Sequence, residues 1–241
     1  MKHIAIINKA TYILTCVTGL VFILSACSSD DASTVFADEF IALSGTITSN
    51  SIPAEEAGVT VKGIYSDNNP LNPQTDTATD GSFSLNVLKN TAVSLQASKA
   101  GFATLNSAKE ALSVDINDAD FELATIAEAD TLLFDAFGAS PTLVDQAWLA
   151  VNVLDGNTGA EIAGVAISTT GTPGGVVYTN CAGNDVGAVV TVVDIIPCNR
   201  DGTMYLAYFD TDSTEVTVSD GITQQLAPVR RGQITFLEIE Q

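Results

Sequence analysis

The sequence predicts an all-β chain: two tandem antiparallel β-sandwiches behind a short, cleaved apolar leader. Three observations predict it. Apolar and polar residues alternate over short spans bounded by Gly, Asn and Asp, the period-two pattern of half-buried strands. Two landmarks recur in the same order in both halves of the chain. Sustained helical periodicity is absent, apart from a stretch around "TLLFDAF".

The first 26 residues form a unit. Lys2 and Lys9 give a positive start, and Thr11 to Leu24 is almost wholly apolar and uncharged. Fourteen residues cannot cross a bilayer core as a helix, which needs roughly 20; a positive start, a short apolar middle and small residues before a cut describe a secretory signal peptide. Leu24-Ser25-Ala26-Cys27 resembles the lipobox of bacterial lipoproteins. That resemblance implies cleavage between Ala26 and Cys27, diacylglycerol on the Cys27 thiol and a palmitate-type acyl chain on the new amine. A thiol is the nucleophile this chemistry needs, and small side chains admit the peptidase. Each buried methylene adds about 0.8 kcal/mol, so two or three chains anchor firmly. Ser28, rather than an aspartate, follows the cysteine, which implies the outer membrane. Asp30-Asp31 resembles the acidic export signals of some surface lipoproteins. The expected place is the cell envelope, on the periplasmic side of the outer membrane or on the cell surface.

Removal of the leader leaves 215 of 241 residues, with seven bases against 29 acids and a net charge near −22. On a prior of roughly 100–200 residues per domain, that length allows one large or two small domains. So acidic a surface repels phosphate backbones and anionic lipid; it excludes nucleic acid as a partner and leaves the acyl anchor as the membrane contact. The sole histidine, His3, leaves with the signal peptide, as does Cys16. No Ser-His-Asp triad, Cys-His pair or histidine zinc site can be built from the rest. No aspartic-protease Asp-Thr-Gly or Asp-Ser-Gly is present, and the chain is expected to be no enzyme and to carry no cofactor.

After an acidic, serine-rich tether (residues 27–39) come "FIALSGTITS", "AGVTVKGIYS", "GSFSLNV", "TAVSLQAS" and "DADFELA". Inward positions are Val59 and Val61, then Phe83, Leu85 and Val87, then Val93, Leu95 and Ala97. "AEEAGVTV" from Ala54 returns as "AEIAGVAI" from Ala160, 106 positions on; "DGSFSL" from Asp80 returns as "DGTMYL" from Asp201, 121 positions on. The chain therefore reads as two copies of one module, 40–124 and 148–241. Residues 125–147, too apolar for a free linker, are expected to pack between the modules or to add a strand, with an exposed groove-binding helix as the alternative.

An opening strand ending in Gly, then "AGVTV", "TDGSFSL" and "KAGFAT", resembles the carboxypeptidase regulatory-like domains. The resemblance covers about Ile41 to Leu123 and implies a seven-stranded, transthyretin-like (Ig-like) sandwich serving as a binding or spacer module. It implies positive φ at Gly81 and a core position for Phe83. The second copy keeps the turn in "RDGTMY" but shows no counterpart of the glycine–aromatic pair.

The second copy is longer between its landmarks, and the added length holds Cys181 and Cys198, two thiols in an exported chain. One disulfide between them is expected, stapling an enlarged loop. "DTATDG", from Asp76, has acids at the first and fifth places of a calcium loop but Ala78 and Val87 at the third and twelfth, so that loop fails. "NDAD" (from Asn117) and "DTDSTE" (from Asp210) offer oxygens without a defined calcium site. The expected role is a lipid-anchored structural or protein-binding module. The alternative is a carbohydrate-binding accessory lipoprotein using an aromatic platform drawn from Trp148, Tyr65, Tyr178, Tyr205 and Tyr208.

Overall fold

The computed structural model describes residues 39–49, 58–66, 69–137, 142–160, 162, 165–179 and 204–241. The leader, the cleavage pair Ala26–Cys27, most of the tether, and Cys181 and Cys198 lie outside them. The described chain is all β but for one helix. The first half carries β1 (Phe40–Ser49), β2 (Thr60–Ile64), β3 (Gln74–Asp76), β4 (Ser82–Leu88), β5 (Ala92–Ser98), β6 (Thr104–Ala111) and β7 (Phe121–Leu123). A helix, α1 (Ile126–Phe137), follows. The second half carries β8 (Ala147–Leu154), β9 (Ser168–Thr169), β10 (Gly175–Thr179), β11 (Met204–Phe209), β12 (Ser213–Ser219), β13 (Gln224–Arg230) and β14 (Gln233–Glu240).

Each half is a two-layer sandwich. In the first, β4-β1-β7 packs on β3-β2-β5-β6. Alternation sends Ile41, Leu43, Phe83, Leu85, Val87, Val93 and Leu95 into one core. In the second, β10-β11-β8-β14 packs on β9-β12-β13 over Leu149, Val151, Tyr205, Val216, Val229 and Leu237. The two copies share one plan: β1 runs antiparallel to β4 and parallel to β7, as β8 runs antiparallel to β11 and parallel to β14. These parallel pairs stand within otherwise mostly antiparallel sheets. They arise because the first and last strands of each copy lie side by side and enter from the same end. The third strands differ, β3 pairing with β2 but β10 with β11.

Two details refine the sequence repeat. Aligning "DGSFSL" with "DGTMYL" sets Phe83 opposite Met204, yet the buried counterpart is Tyr205, 3 % exposed in the second core. Side chains alternate faces along a strand, so a slip of one residue exchanges the two faces, and Met204 packs outward instead. The glycine of "KAGFAT" does have a counterpart: Gly101 (φ 89°) turns β5 into β6, and Gly221 (φ 91°) turns β12 into β13. What changes is the next side chain, with Phe102 buried and Ile222 79 % exposed. The implied positive φ at Gly81 is present (80°), and Phe83 is in the core.

The opening strand does not end at its glycine. Gly45 sits mid-strand, where an added Cβ would stand 2.3 Å from the Ala119 carbonyl oxygen, so only glycine lets the chain before β7 press this close.

The described residues between β7 and β8 add no strand. Thr125 caps α1 in a reciprocal box: the Glu128 N–H donates to Thr125 Oγ1 at 3.2 Å, and the Thr125 N–H donates to Glu128 Oε2 at 2.8 Å. Ala129, Leu133 and Phe137, four apart, share one face and bury it against Trp148, Ala150, Leu206 and Phe236. That explains "AWLAVNVL", buried at seven successive positions of β8: the core covers one side and α1 the other. Among the described residues no helix covers the first half, and the outer residues of β4, Ser82, Ser84 and Asn86, are polar and exposed.

Candidate functional site

The halves meet along β6. Its first residues run parallel to β14, with Thr104, Leu105 and Asn106 opposite Gln233, Ile234 and Thr235. Farther along, Lys109 sits opposite Leu226 of β13. One eleven-stranded sheet therefore passes from the first half into the second.

Side chains lock this seam. Gln96 and Asn106 each donate from their amide nitrogens to Gln233 Oε1, at 3.2 and 3.0 Å, and Asn106 is fully buried. Lys109 Nζ lies 2.5 Å from Glu215 Oε1, with the lysine side chain only 12 % exposed. Gln225 Nε2 donates to Glu110 Oε1 at 3.3 Å and to the Glu238 carbonyl at 3.2 Å. Burial, with the Glu240 carboxylate beside it, pushes the Glu110 carboxyl above the ordinary glutamate range. A cavity of about 60 Å³ opens here, walled by Leu43, Val93, Leu95, Phe121 and Phe236, with Glu110 and Glu238 in its lining. Ligand pockets span roughly 300–1,000 Å³, so this one has room for a water or two and not for a substrate.

The acids singled out in the sequence serve the fold. Asp120 Oδ1 accepts from the N–H and hydroxyl of Thr46 at 2.6 and 2.9 Å, and Asp115 Oδ1 from the Ala42 N–H at 2.8 Å. Asn117 accepts from the Ser44 hydroxyl and Asp76 from that of Thr60. In "DTDSTE", Asp212 pairs with Arg231 and Glu215 with Lys109. The Asp80 carboxyl is held below its ordinary range by the Ser82 hydroxyl and N–H. Among the described residues, no three metal-type side chains come together.

The aromatic residues form no open platform in the described part. Trp148, fully buried, stacks edge-on with Phe137 at 5.4 Å, and Tyr208 completes the trio at 5.4 Å from Phe137 and 5.6 Å from Trp148. Tyr205 is core, and Tyr65 is buried with its hydroxyl oxygen accepting from the Leu88 N–H at 2.6 Å. The side chain of Tyr178 lies outside the described residues. Sequence reasoning missed Glu110, Gln225 and Gln233; the one signal was their polarity on strands that otherwise read as half-buried.

No family model matches the chain, and no curated protein matches it. Among solved structures, it overlaps a type II cohesin–X-dockerin complex from Acetivibrio cellulolyticus, an N-terminal interface mutant, at 17% identity and TM-score 0.31 over 35% of this chain and 58% of that one. A C-terminal interface mutant of that complex gives 16% identity and TM-score 0.31 over 42% and 64%. The chain thus spans under two thirds of these two. The shaft pilin SpaA from Lactobacillus rhamnosus GG gives 11% identity and TM-score 0.26 over 85% and 97%. Overlaps this loose transfer no function. Among the described residues, no helix is long and apolar enough to cross a membrane.

Proposed function

We propose that this protein is a lipid-anchored component of the bacterial envelope whose two β-sandwich modules, 40–124 and 148–241, act as a non-enzymatic structural or protein-binding unit. The observation that carries this reading is the seam. Strand pairing between β6 and β14 joins both halves into one sheet, which suits a part that must hold its shape, and the cavity beside it is too small to hold a substrate. Among the described residues, Asp76, Asp115, Asp120, Trp148, Tyr65 and Tyr205 are committed to strand ladders and core. Cys27 is the proposed lipid attachment, placing the modules on a tether from the outer membrane, and Cys181–Cys198 is the proposed staple.

The test keeps the anchor in place. The parent protein should enter the detergent phase on phase separation and Cys27→Ala the aqueous phase; equal retention of both in the membrane fraction overturns the anchoring. Cross-linking on intact cells followed by capture of the anchored parent should recover one stoichiometric protein partner or self-assembly. Recovery of neither removes the structural and protein-binding role.

A further inference from the structure

We propose that the fold is a tension-bearing device: two mechanical clamps in series, each loaded in shear when the chain is pulled between the segment entering β1 and the end of β14. The proposal deepens the structural role above and depends on that reading for its biological setting, but not for its geometry.

The second clamp is β8 with β14. They run parallel through seven successive register pairs, from Ile234 opposite Trp148 to Glu240 opposite Leu154. The chain enters β8 at its Ala147 end and leaves β14 at its Glu240 end. A pull therefore drags the two strands past each other along their length, and the evenly spaced bonds of a parallel ladder must bear the load together. β14 is also held on its other side by β6, again in parallel, so it slides only by shearing both ladders. Antiparallel neighbours joined at one end would instead peel apart bond by bond.

The first clamp is β1 with the segment leading into β7. Its regular parallel ladder covers only Ile47 to Ser49 opposite Phe121 to Leu123. The chain extends it by other means. Ser44 N–H donates to the Ile116 carbonyl at 2.8 Å, Ile116 N–H to Ala42 at 2.9 Å, and Ala119 N–H to Ser44 at 3.1 Å. Asp115 and Asp120 then supply carboxylate acceptors for the Ala42 and Thr46 N–H groups. Asp120, the last acid of "NDAD", and Asp115 just before that stretch thus complete a shear ladder where regular backbone pairing fails. Both copies keep the parallel first-to-last pairing although their third strands differ, so the clamp is what the repeat retains.

The experiment is single-molecule force spectroscopy on the mature chain in two pulling geometries. With handles at the two chain ends, two abrupt ruptures are expected. They should release up to about 300 Å for residues 40–123 and up to about 340 Å for residues 147–241, the second shortened if Cys181 and Cys198 are bonded. With handles on exposed Asp145 and Asp210, at the shared end of antiparallel β8 and β11, the second half is unzipped; it should yield at a force lower by roughly a factor of two or more. Asp120→Ala should weaken the first rupture and leave the second unchanged. Equal forces in the two geometries, or an Asp120→Ala chain with an unaltered first rupture, overturn the proposal. Failure of the Cys27 phase-separation test would remove the anchor and leave the force result standing.

Discussion

Glu110 shows how one residue records the meeting of the halves. It faces Gln225 from β13 and Glu238 and Glu240 from β14. Burial and then Glu240 raise its pKa, so the folded chain favours the neutral acid. The sign follows from linkage: a raised folded value stabilises fully below the ordinary 4.5 and that contribution is lost as pH climbs through the raised value. Glu110→Gln, which keeps an acceptor for Gln225, should therefore raise the melting temperature at pH 7 to 8, with the gain vanishing below about pH 4. Melting curves of parent and variant across that range check it; a pH-independent gain would mean that Glu110 is not the titrating group.

At the scale of an element, α1 is a short helix that stands by its cap and its buried face. Helices under about 12–15 residues are marginal alone in water, so packing must supply what propensity does not. Removing the cap with Thr125→Ala should cost about 1 kcal/mol. Leu133→Ala empties a site only 1% exposed between α1 and the sheet and should cost about 2–5 kcal/mol. Trp148, the chain's single tryptophan, lies in the same cluster, so Leu133→Ala should also change its fluorescence in the native state. A red-shifted native spectrum with a lower denaturation midpoint is the expected result; an unshifted spectrum would place Leu133 outside the tryptophan's surroundings. The capping signal was legible as Thr-x-x-Glu, but a helix lying over a β-sandwich was not, because its covering face and the strands it covers come from separate stretches of chain.

At the scale of the molecule, two separate cores are joined by one sheet. Separate cores favour independent unfolding, and shared strand pairing with a buried polar seam opposes it. Opening the seam would break the β6–β14 ladder together with the Gln96 and Asn106 bonds to Gln233, and each such bond contributes about 0.5–1.5 kcal/mol net. The coupling should therefore win, and thermal unfolding of the mature chain should follow one transition. Cys181→Ser with Cys198→Ser should lower stability by about 2–4 kcal/mol if the two are bonded, and the loss should be read in that same transition. A first transition that keeps its midpoint while a second one falls would show two independent modules.

Local pattern determined most strands of the first half with their inward faces, the two-copy repeat and the glycine turn at Gly81, because side-chain alternation and left-handed backbone are properties of a few adjacent residues. Phe83, Leu85 and Val87 were readable in this way, and so was Gly81. The proposed leader and the proposed lipid site at Cys27 rest on contiguous chemistry of the same kind, and both lie outside the described residues. Only the tertiary structure decided that β6 pairs with β14, that Asp120 serves Thr46 rather than an ion, that Trp148 is covered rather than displayed, and that Tyr205 rather than Met204 faces the core. Each of these depends on partners outside the local strand, from 11 positions away for Phe137 on Trp148 to 129 for Gln233 opposite Thr104, or on a register shift of one residue. Such pairings are selected by the fit of whole faces, which no short window of sequence contains.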